Sequence, residues 1–170
     1  MQRRSFNSLM LAGAGGLAAA ACTKSSSDVG ALASDCTSPP SAAGISEQDF
    51  RSYIDAFNRS DFDSFGKFYS DNVEFIGRGR HFRSRDEVLA FYREVKSRMR
   101  ETITVKEVVV GDSDLMAEIE TELVANVDWP EFVTGPVKKG DVILTQNFAW
   151  YEIENGKFVR IRSARYRKLK

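Results

Sequence analysis

Apolar residues follow two different periods from Ile45 onward, first about 3.6 residues and then about 2. The first part predicts three helices. Ser46 is a predicted N-cap for the first of them, and Asp49 stands where a capping box needs an acceptor. The predicted buried faces are Phe50, Tyr53, Ile54 and Phe57 in the first helix, Phe62, Phe65, Phe68 and Tyr69 in the second, and Val88, Leu89, Tyr92, Val95 and Met99 in the third, which Ser84 or Asp86 begins.

The second part predicts a sheet. Ser70 to Asn72 are predicted to turn the chain into a short strand at Val73–Ile76. After Thr102 the alternation predicts long strands at 103–110, 114–126, 141–153 and 157–166, the last two joined by an Asn155–Gly156 hairpin turn. Helices followed by consecutive strands indicate an α+β fold, in which about three N-terminal helices pack on one face of a curved antiparallel sheet.

Alternation also predicts which side chains face inward. The predicted inward sets are Leu115, Ala117, Ile119, Thr121 and Leu123; Val142, Leu144, Gln146, Phe148 and Trp150; and Val159, Ile161, Ser163 and Arg165. Glu118, Glu120 and Glu122 then face outward, where Arg160 and Arg162 could pair with them. Because this ladder lacks histidine, it predicts a solvated or dimer-forming face and no metal site.

The first 44 residues carry a different pattern. Arg3 and Arg4 precede an apolar run from Leu9 to Ala21, which predicts an export signal over residues 1–22 that resembles the bacterial twin-arginine type. The Ser- and Pro-rich stretch 23–44 predicts a disordered linker. Cys22 resembles a lipoprotein cysteine, although Ala19 departs from the usual pattern, and the alternative is a Cys22–Cys36 disulfide. The protein is therefore expected to be periplasmic or membrane-tethered.

Composition limits the partners. The 170 residues leave room for one domain, over 45–167, and 24 basic residues balance 24 acidic ones, so nucleic acid is not an expected partner. Two cysteines placed before the domain predict no metal or thiol chemistry, and no cofactor is expected.

Several segments together resemble a known family. They are Tyr53-Ile-Asp-Ala-Phe-Asn, Asp61-Phe-Asp, Phe68-Tyr-Ser-Asp-Asn-Val-Glu-Phe and the helix that Arg85-Asp86 begins. Over about residues 45 to 167 the chain resembles the SnoaL-like and ketosteroid-isomerase-like proteins of the nuclear transport factor 2 superfamily. The resemblance implies a cone-shaped barrel with an apolar pocket, and often a homodimer through the outer sheet face.

The resemblance also implies where catalytic groups would lie. Tyr53 matches the oxyanion tyrosine of the isomerases, the position of their base falls near Gly77, and that of their second acid falls near Phe148. Neither position holds a carboxylate here, so most of the isomerase machinery that proton transfer requires is missing. The remaining candidates are His81, the only histidine, and Asp71, whose alternative role is in a turn.

Two functions stay open at this point. The first is a binding domain for a hydrophobic small molecule, and the second is an isomerase, cyclase or dehydratase that acts on a polyketide-like or steroid-like substrate. A partner-binding adaptor is a third, lesser possibility. Trp129 and Phe132 predict either a lid or a structural plug, and Arg165 either meets an anionic ligand or reaches solvent. The predicted pocket residues are Tyr53, Phe57, Thr121, Trp129, Gln146, Trp150, Ser163 and Arg165.

Overall fold

A computed structural model describes residues 44–77 and 79–170. The described elements are α1 (Glu47–Asn58), α2 (Phe62–Gly66), β1 (Tyr69–Gly77), β2 (Arg80–Phe82), α3 (Arg85–Arg98), β3 (Met99–Val110), β4 (Asp114–Ala125), β5 (Val142–Glu154) and β6 (Lys157–Lys168). Three predictions lie outside these residues: the export signal, the lipidation of Cys22 and the alternative Cys22–Cys36 disulfide. All but the last residue of the predicted linker lies outside them as well. Within them, no helix has the length and apolar character to span a membrane.

The helices begin at the predicted caps. The Asp49 amide donates to Ser46 Oγ (3.1 Å), and the Ser46 amide donates to Asp49 Oδ2 (3.0 Å), so the predicted capping box is confirmed. Ser84 caps α3 by accepting from the Glu87 amide at 3.2 Å. This helix ends at Arg98, and β3 begins directly at Met99 rather than near Ile103.

The strands form one open sheet in the order β2-β1-β6-β5-β4-β3. Four of the neighbouring pairs are antiparallel, and β1 runs parallel to β6. Helix α1 contacts β3, and α3 contacts both β1 and β3, so the helices cover one face of the sheet. The predicted α+β fold is confirmed, with one parallel pair that the sequence pattern did not reveal.

The predicted turn at Ser70–Asn72 is wrong. These residues belong to β1, but the pairing with β6 passes from Tyr69–Phe158 directly to Glu74–Arg160. Residues 70–72 therefore form an irregularity in the strand, and their polar side chains reflect this missing pairing rather than a change of direction. The short strand β2, which pairs with β1 through Phe75–Phe82, has no apolar alternation and was not predicted.

The core lies between the helices and the concave face of the sheet. Its aromatic part contains the side chains Phe50, Tyr53, Phe57, Phe65, Tyr69, Phe75, Tyr92, Tyr151 and Phe158. A second cluster fills the end of the domain near the 126–141 loop and consists of Val95, Met99, Leu123, Ala125, Trp129, Phe132 and Val137. Burial of so much apolar surface is the main stabilising contribution to the fold.

The predicted inward face is confirmed in β4 and wrong in β5. The register between β4 and β5 determines which face of β5 points inward. Phe148 lies opposite Glu118 and Trp150 lies opposite Met116, and both pairs are on the outer face. Phe148 is 48% exposed and Trp150 37% exposed, and the residues of β5 that face inward are Thr145, Asn147, Ala149, Tyr151 and Ile153. The outer aromatic side chains are partly covered there: the Phe148 ring stacks on Tyr166 at 4.5 Å, and the Arg162 guanidinium lies 4.1 Å from the Trp150 ring.

The outer face also carries an ionic network, with different partners from those predicted. Arg160 pairs with Glu74 and Glu152, and Arg162 pairs with Glu152. The predicted pairing of these arginines with the β4 glutamates is therefore wrong, because β5 separates β4 from β6 in the sheet. Homodimerisation through this face remains a prediction.

Candidate functional site

A small cavity of about 30 Å³ lies inside the domain, between the helices and the concave face. A cavity of this size can hold about one water molecule. Its lining is mainly aromatic and aliphatic, but polar side chains enter from α3, β3, β4, β5 and β6. The lining residues are Tyr53, Phe57, Phe75, Tyr92, Glu101, Ile103, Ile119, Thr121, Asn147, Ala149, Tyr151, Ile161 and Ser163.

Glu101 brings a carboxyl group into this cavity. Glu101 is only 3% exposed, although it lies near the start of β3, three residues after the end of α3. Two hydrogen bonds attach β3 to α1 at this point: the Ile103 amide donates to Asn58 Oδ1 (2.8 Å), and Asn58 Nδ2 donates to the Ile103 carbonyl (2.9 Å). Strand and helix therefore hold Glu101 in a defined position against the core.

Glu101 has a lysine and a tyrosine as neighbours beside the cavity. Lys96 Nζ donates to the backbone carbonyl oxygen of Glu101 (3.4 Å) and lies 4.0 Å from the centre of the Phe57 ring. Burial lowers the pKa of Lys96, and the negative charge of Glu101 opposes that effect. Burial raises the pKa of Tyr69, its hydrogen bond with Tyr53 lowers it, and the charge of Glu101 raises it, so this carboxyl group acts electrostatically on Tyr69.

Tyr53 and Tyr69 form a pair whose hydroxyl oxygens are 2.8 Å apart in a buried hydrogen bond. Tyr53 is 5% exposed, and its ring contacts Phe65, Phe68 and Phe158. Burial raises the pKa of Tyr53 well above its ordinary value, with a further increase from Tyr69. Tyr53 is thus a core aromatic residue that also lines the cavity, and its hydroxyl group already has a partner.

Polar side chains of the central strands form the other wall. Asn147 Nδ2 donates to Thr121 Oγ1 (3.2 Å) and to Thr145 Oγ1 (3.1 Å), and all three residues are buried. These bonds fix the Asn147 side chain and use its amide hydrogens, so its carbonyl oxygen is available to accept a hydrogen bond from a ligand.

A larger pocket of about 430 Å³ adjoins the cavity at Asn147 and Ser163, which line both. We call it the mouth pocket, and it is lined by Gly79, Leu123, Val133, Thr134, Ile143, Thr145, Asn147, Ser163 and Arg165. Sheet register connects it to the buried acid, because Glu101 lies opposite Leu123 and Leu123 lies opposite Ile143. A molecule in the mouth pocket therefore rests on the same row of side chains that ends at Glu101.

The candidates from the sequence divide into three groups. Tyr53, Phe57, Thr121 and Ser163 line the cavity, and Arg165 lines the mouth pocket. Gln146 and Trp150 lie on the outer face, so their assignment to the pocket is wrong for the reason of register given above. Trp129 and Phe132 belong to the second core cluster, where Trp129 forms a β-bridge with Val137, and both also line a cleft outside the cavity, so the choice between a lid and a plug stays a prediction.

The two proposed acid–base side chains lie outside the cavity. His81 Nε2 is 2.7 Å from Glu74 Oε1, and Asp71 Oδ1 is 2.8 Å from Arg85 Nη1 in an exposed ion pair. His81 does line a third cleft, of about 660 Å³, between α3, β2 and the loop containing Trp129 and Phe132. This cleft shares Val133 with the mouth pocket but contains neither Glu101 nor Asn147.

Comparison with known proteins agrees with this architecture. The family model of the SnoaL-like domain matches residues 50–161. The chain belongs to the SnoaL-like domain family. No functionally curated protein matches the sequence.

Solved SnoaL-like and related structures share the fold at low sequence identity. A putative polyketide cyclase from Silicibacter is 16% identical, with a TM-score of 0.61 over 68% of this chain and 85% of that one. A putative polyketide cyclase from Xanthomonas campestris is 20% identical, with a TM-score of 0.56 over 67% and 84% of the two chains. An LEH-like epoxide hydrolase from M. tuberculosis is 12% identical, with a TM-score of 0.57 over 74% and 82%.

Sequence reasoning missed Glu101 and Asn147. Glu101 alternates with Met99 and Ile103, which were both predicted to be apolar positions, so the period-2 pattern contained the signal once β3 is extended back to Met99. Asn147 was missed because the face of β5 with Phe148 and Trp150 is more apolar in sequence, so that face was predicted to point inward and Asn147 outward.

Proposed function

We propose that this SnoaL-like domain is an acid–base enzyme, in which Glu101 transfers a proton to or from a small, largely apolar molecule held in the mouth pocket. The observation that carries the proposal is the burial of Glu101, only 3% exposed, in the wall of a cavity that shares two residues with that pocket. The reaction class is isomerisation, cyclisation or dehydration by proton transfer. Binding without turnover is the alternative.

Burial of a carboxyl group is unfavourable by itself, so the surroundings of Glu101 bear on its role. Moving a charged group out of water is unfavourable unless other groups compensate, so polar groups that converge on a cavity mark a candidate functional site. Lys96 supplies positive charge nearby, and Tyr69 lies within the electrostatic influence of Glu101. This arrangement suits a group that changes its charge during a reaction.

The size and lining of the cavity suit proton transfer over a short path. A general acid or base must lie within hydrogen-bond reach of the reacting group, directly or through one water molecule. The cavity of about 30 Å³ is large enough for one such water, or for the carbonyl or hydroxyl group of a ligand. Asn147 and Ser163, at the junction with the mouth pocket, are positioned to orient that group.

The relatives support the class of ligand. Structural neighbours carry the names polyketide cyclase and epoxide hydrolase, and both names refer to small organic molecules. The mouth pocket, with Leu123, Val133 and Ile143 in its wall, suits an apolar body of that size. We further propose that the enzyme acts outside the cytoplasm, on the strength of the Arg3–Arg4 signal.

Proton exchange in a cyclic ketone tests this proposal without knowledge of the natural substrate. The protein is incubated with 2-tetralone in D₂O, and NMR follows the replacement of the protons next to the carbonyl group by deuterium. We expect the unchanged protein to accelerate exchange and Glu101→Gln to lose about 10²-fold or more of that acceleration. Glu107→Gln, the same chemical change at an exposed position of β3, is the matched control and should behave like the unchanged protein.

Two outcomes would contradict the proposal. Equal acceleration by the unchanged protein and by folded Glu101→Gln would exclude Glu101 as the proton-transfer group. Binding of the ketone without any acceleration of exchange would favour the binding function over catalysis.

A further inference from the structure

We propose that the mouth pocket selects ligands that carry a carboxylate, which Arg165 and Lys168 bind at the outer rim. This inference rests on the proposed function for its location, because it concerns the same pocket, but it makes a separate claim about the chemistry of the ligand. In this arrangement the reacting end of the ligand points toward Glu101 and the anionic end toward solvent.

An irregularity in β6 puts two cations on the concave face. Arg165 lies opposite the buried Asn147, Arg167 opposite Gln146, and Lys168 opposite the buried Thr145. The register shifts between Gln146 and Asn147, so simple alternation along β6 does not hold there. Since directly opposed residues of antiparallel strands point to the same face, Arg165 and Lys168 lie on the inner side, and Arg167 lies on the outer side.

Arg165 connects two adjoining spaces. It lines the mouth pocket, and together with Lys168 and Lys170 it lines a neighbouring cleft of about 400 Å³. Among the described residues that line that cleft, Asp141 alone has an acidic side chain, and it accepts a hydrogen bond from the backbone amide of Lys138 at 2.8 Å. The rim of the pocket therefore has an excess of positive charge.

Among the described cations of β6, Lys157, Arg165, Arg167 and Lys168 form no salt bridge, and of these Arg165 and Lys168 lie on the concave face. In the described part of the chain, neither Arg165 nor Lys168 forms a salt bridge, whereas Arg160 and Arg162 on the outer face both pair with Glu152. An arginine without a partner presents a planar set of donors that matches the two oxygens of a carboxylate. The cations on the concave rim are therefore available to bind an anion, whereas Arg160 and Arg162 on the outer face are already paired.

The lining of the pocket defines the rest of the ligand. Leu123, Val133 and Ile143 line the same pocket as Asn147, Ser163 and Arg165, so apolar, polar and cationic side chains all face its interior. The ligand that fits this lining has a polar reacting group, an apolar body and a carboxylate. A ring system with a carboxylate substituent has this chemistry.

A pair of ligands of equal shape tests the claim. Calorimetry compares the binding of 4-phenylbenzoate and its neutral analogue 4-phenylbenzamide to the unchanged protein, Arg165→Gln, Lys168→Gln and Arg167→Gln. We expect the carboxylate to bind about 5- to 10-fold more tightly than the amide at low salt, the range for one or two partly exposed charged contacts. Arg165→Gln should remove most of this preference by weakening carboxylate binding more than amide binding, and Lys168→Gln should reduce it less.

Arg167→Gln is the matched control, because it removes one positive charge from the same strand but from the opposite face. It should leave the preference intact, and raising the salt concentration from about 0.02 M to about 0.5 M should weaken the preference in the unchanged protein. Equal affinity for the two ligands, no binding of either, or an equal loss in Arg165→Gln and Arg167→Gln would overturn the proposal.

The outcomes separate this claim from the proposed function. A carboxylate preference that depends on Arg165, together with ketone exchange that is indifferent to Glu101, would support the anion site and refute the acid–base role. The reverse pattern would support the acid–base role and refute the anion site.

Discussion

Replacement of Tyr53 by phenylalanine separates a structural role of its hydroxyl group from a catalytic one. The substitution removes a single oxygen, and this oxygen lies 2.8 Å from the Tyr69 hydroxyl in a site where Tyr53 is 5% and Tyr69 0% exposed. The rings of Phe68 and Phe158 pack against Tyr53 and prevent the site from collapsing around the change. In the variant, the Tyr69 hydroxyl therefore loses this partner in a largely apolar environment.

The expected cost follows from that loss. A buried polar group left without its partner destabilises a protein by about 1–3 kcal/mol, so we expect Tyr53→Phe to lower the free energy of unfolding by about 2 kcal/mol. Tyr69→Phe should have a similar effect. Because both substitutions remove the same hydrogen bond, the double variant should cost less than the sum of the two, with a coupling energy of about 1 kcal/mol.

Urea denaturation measures these energies, and Tyr166→Phe is the control. Tyr166 is exposed and its hydroxyl bonds to Glu118 on the outer face, so its replacement should cost less than about 0.5 kcal/mol. A loss below about 0.5 kcal/mol in Tyr53→Phe, or full additivity with Tyr69→Phe, would refute the structural reading. A large loss of ketone exchange without a loss of stability would restore the catalytic role that the family resemblance implies.

Three further predictions follow from the same geometry. Burial raises the pKa values of Tyr53, Tyr69 and Tyr151, so above about pH 10 the unfolded chain loses these protons while the folded domain retains them. The free energy of unfolding, measured by urea denaturation, should therefore fall by up to about 1.4 kcal/mol per tyrosine per pH unit. A flat profile from about pH 10 to about pH 11 would contradict this. Trp129→Ala should cost about 3–5 kcal/mol in the same assay, since Trp129 is 7% exposed in the second core cluster, whereas a mobile lid would lose little. His81→Gln should leave ketone exchange unchanged, because His81 lies outside the cavity; a loss comparable with Glu101→Gln would move the active site to the larger cleft.

Much of the fold could be predicted from local patterns. The capping box at Ser46, the helical aromatic spacing of Phe50 and Phe57, and the alternation of Leu115 to Leu123 each report directly on short-range structure. The parallel pairing of β1 with β6 could not be read in the same way, because it joins segments that lie far apart along the chain.

The site was harder to predict, since local apolar content misleads when both faces of a sheet are partly covered. In β5 the larger residues, Phe148 and Trp150, lie outside because the rings of Tyr166 and the guanidinium of Arg162 cover them there. The concave side instead holds Thr145 and Asn147, and the Asn147 side-chain amide donates a hydrogen bond to the Thr145 hydroxyl. Cross-strand register, and not hydrophobicity, fixes the face of such a strand.

The central claim is that a ligand in the mouth pocket reaches Glu101. A crystal structure of the protein with 2-tetralone measures this most directly, through the distance between the ketone oxygen or an adjacent carbon and the nearest carboxylate oxygen of Glu101. We predict that the ring contacts Leu123 and Ile143, with Glu101 within hydrogen-bond reach of the reacting group or joined to it by one water molecule. Binding of the ketone only in the cleft beside His81, with the mouth pocket empty, would contradict the claim.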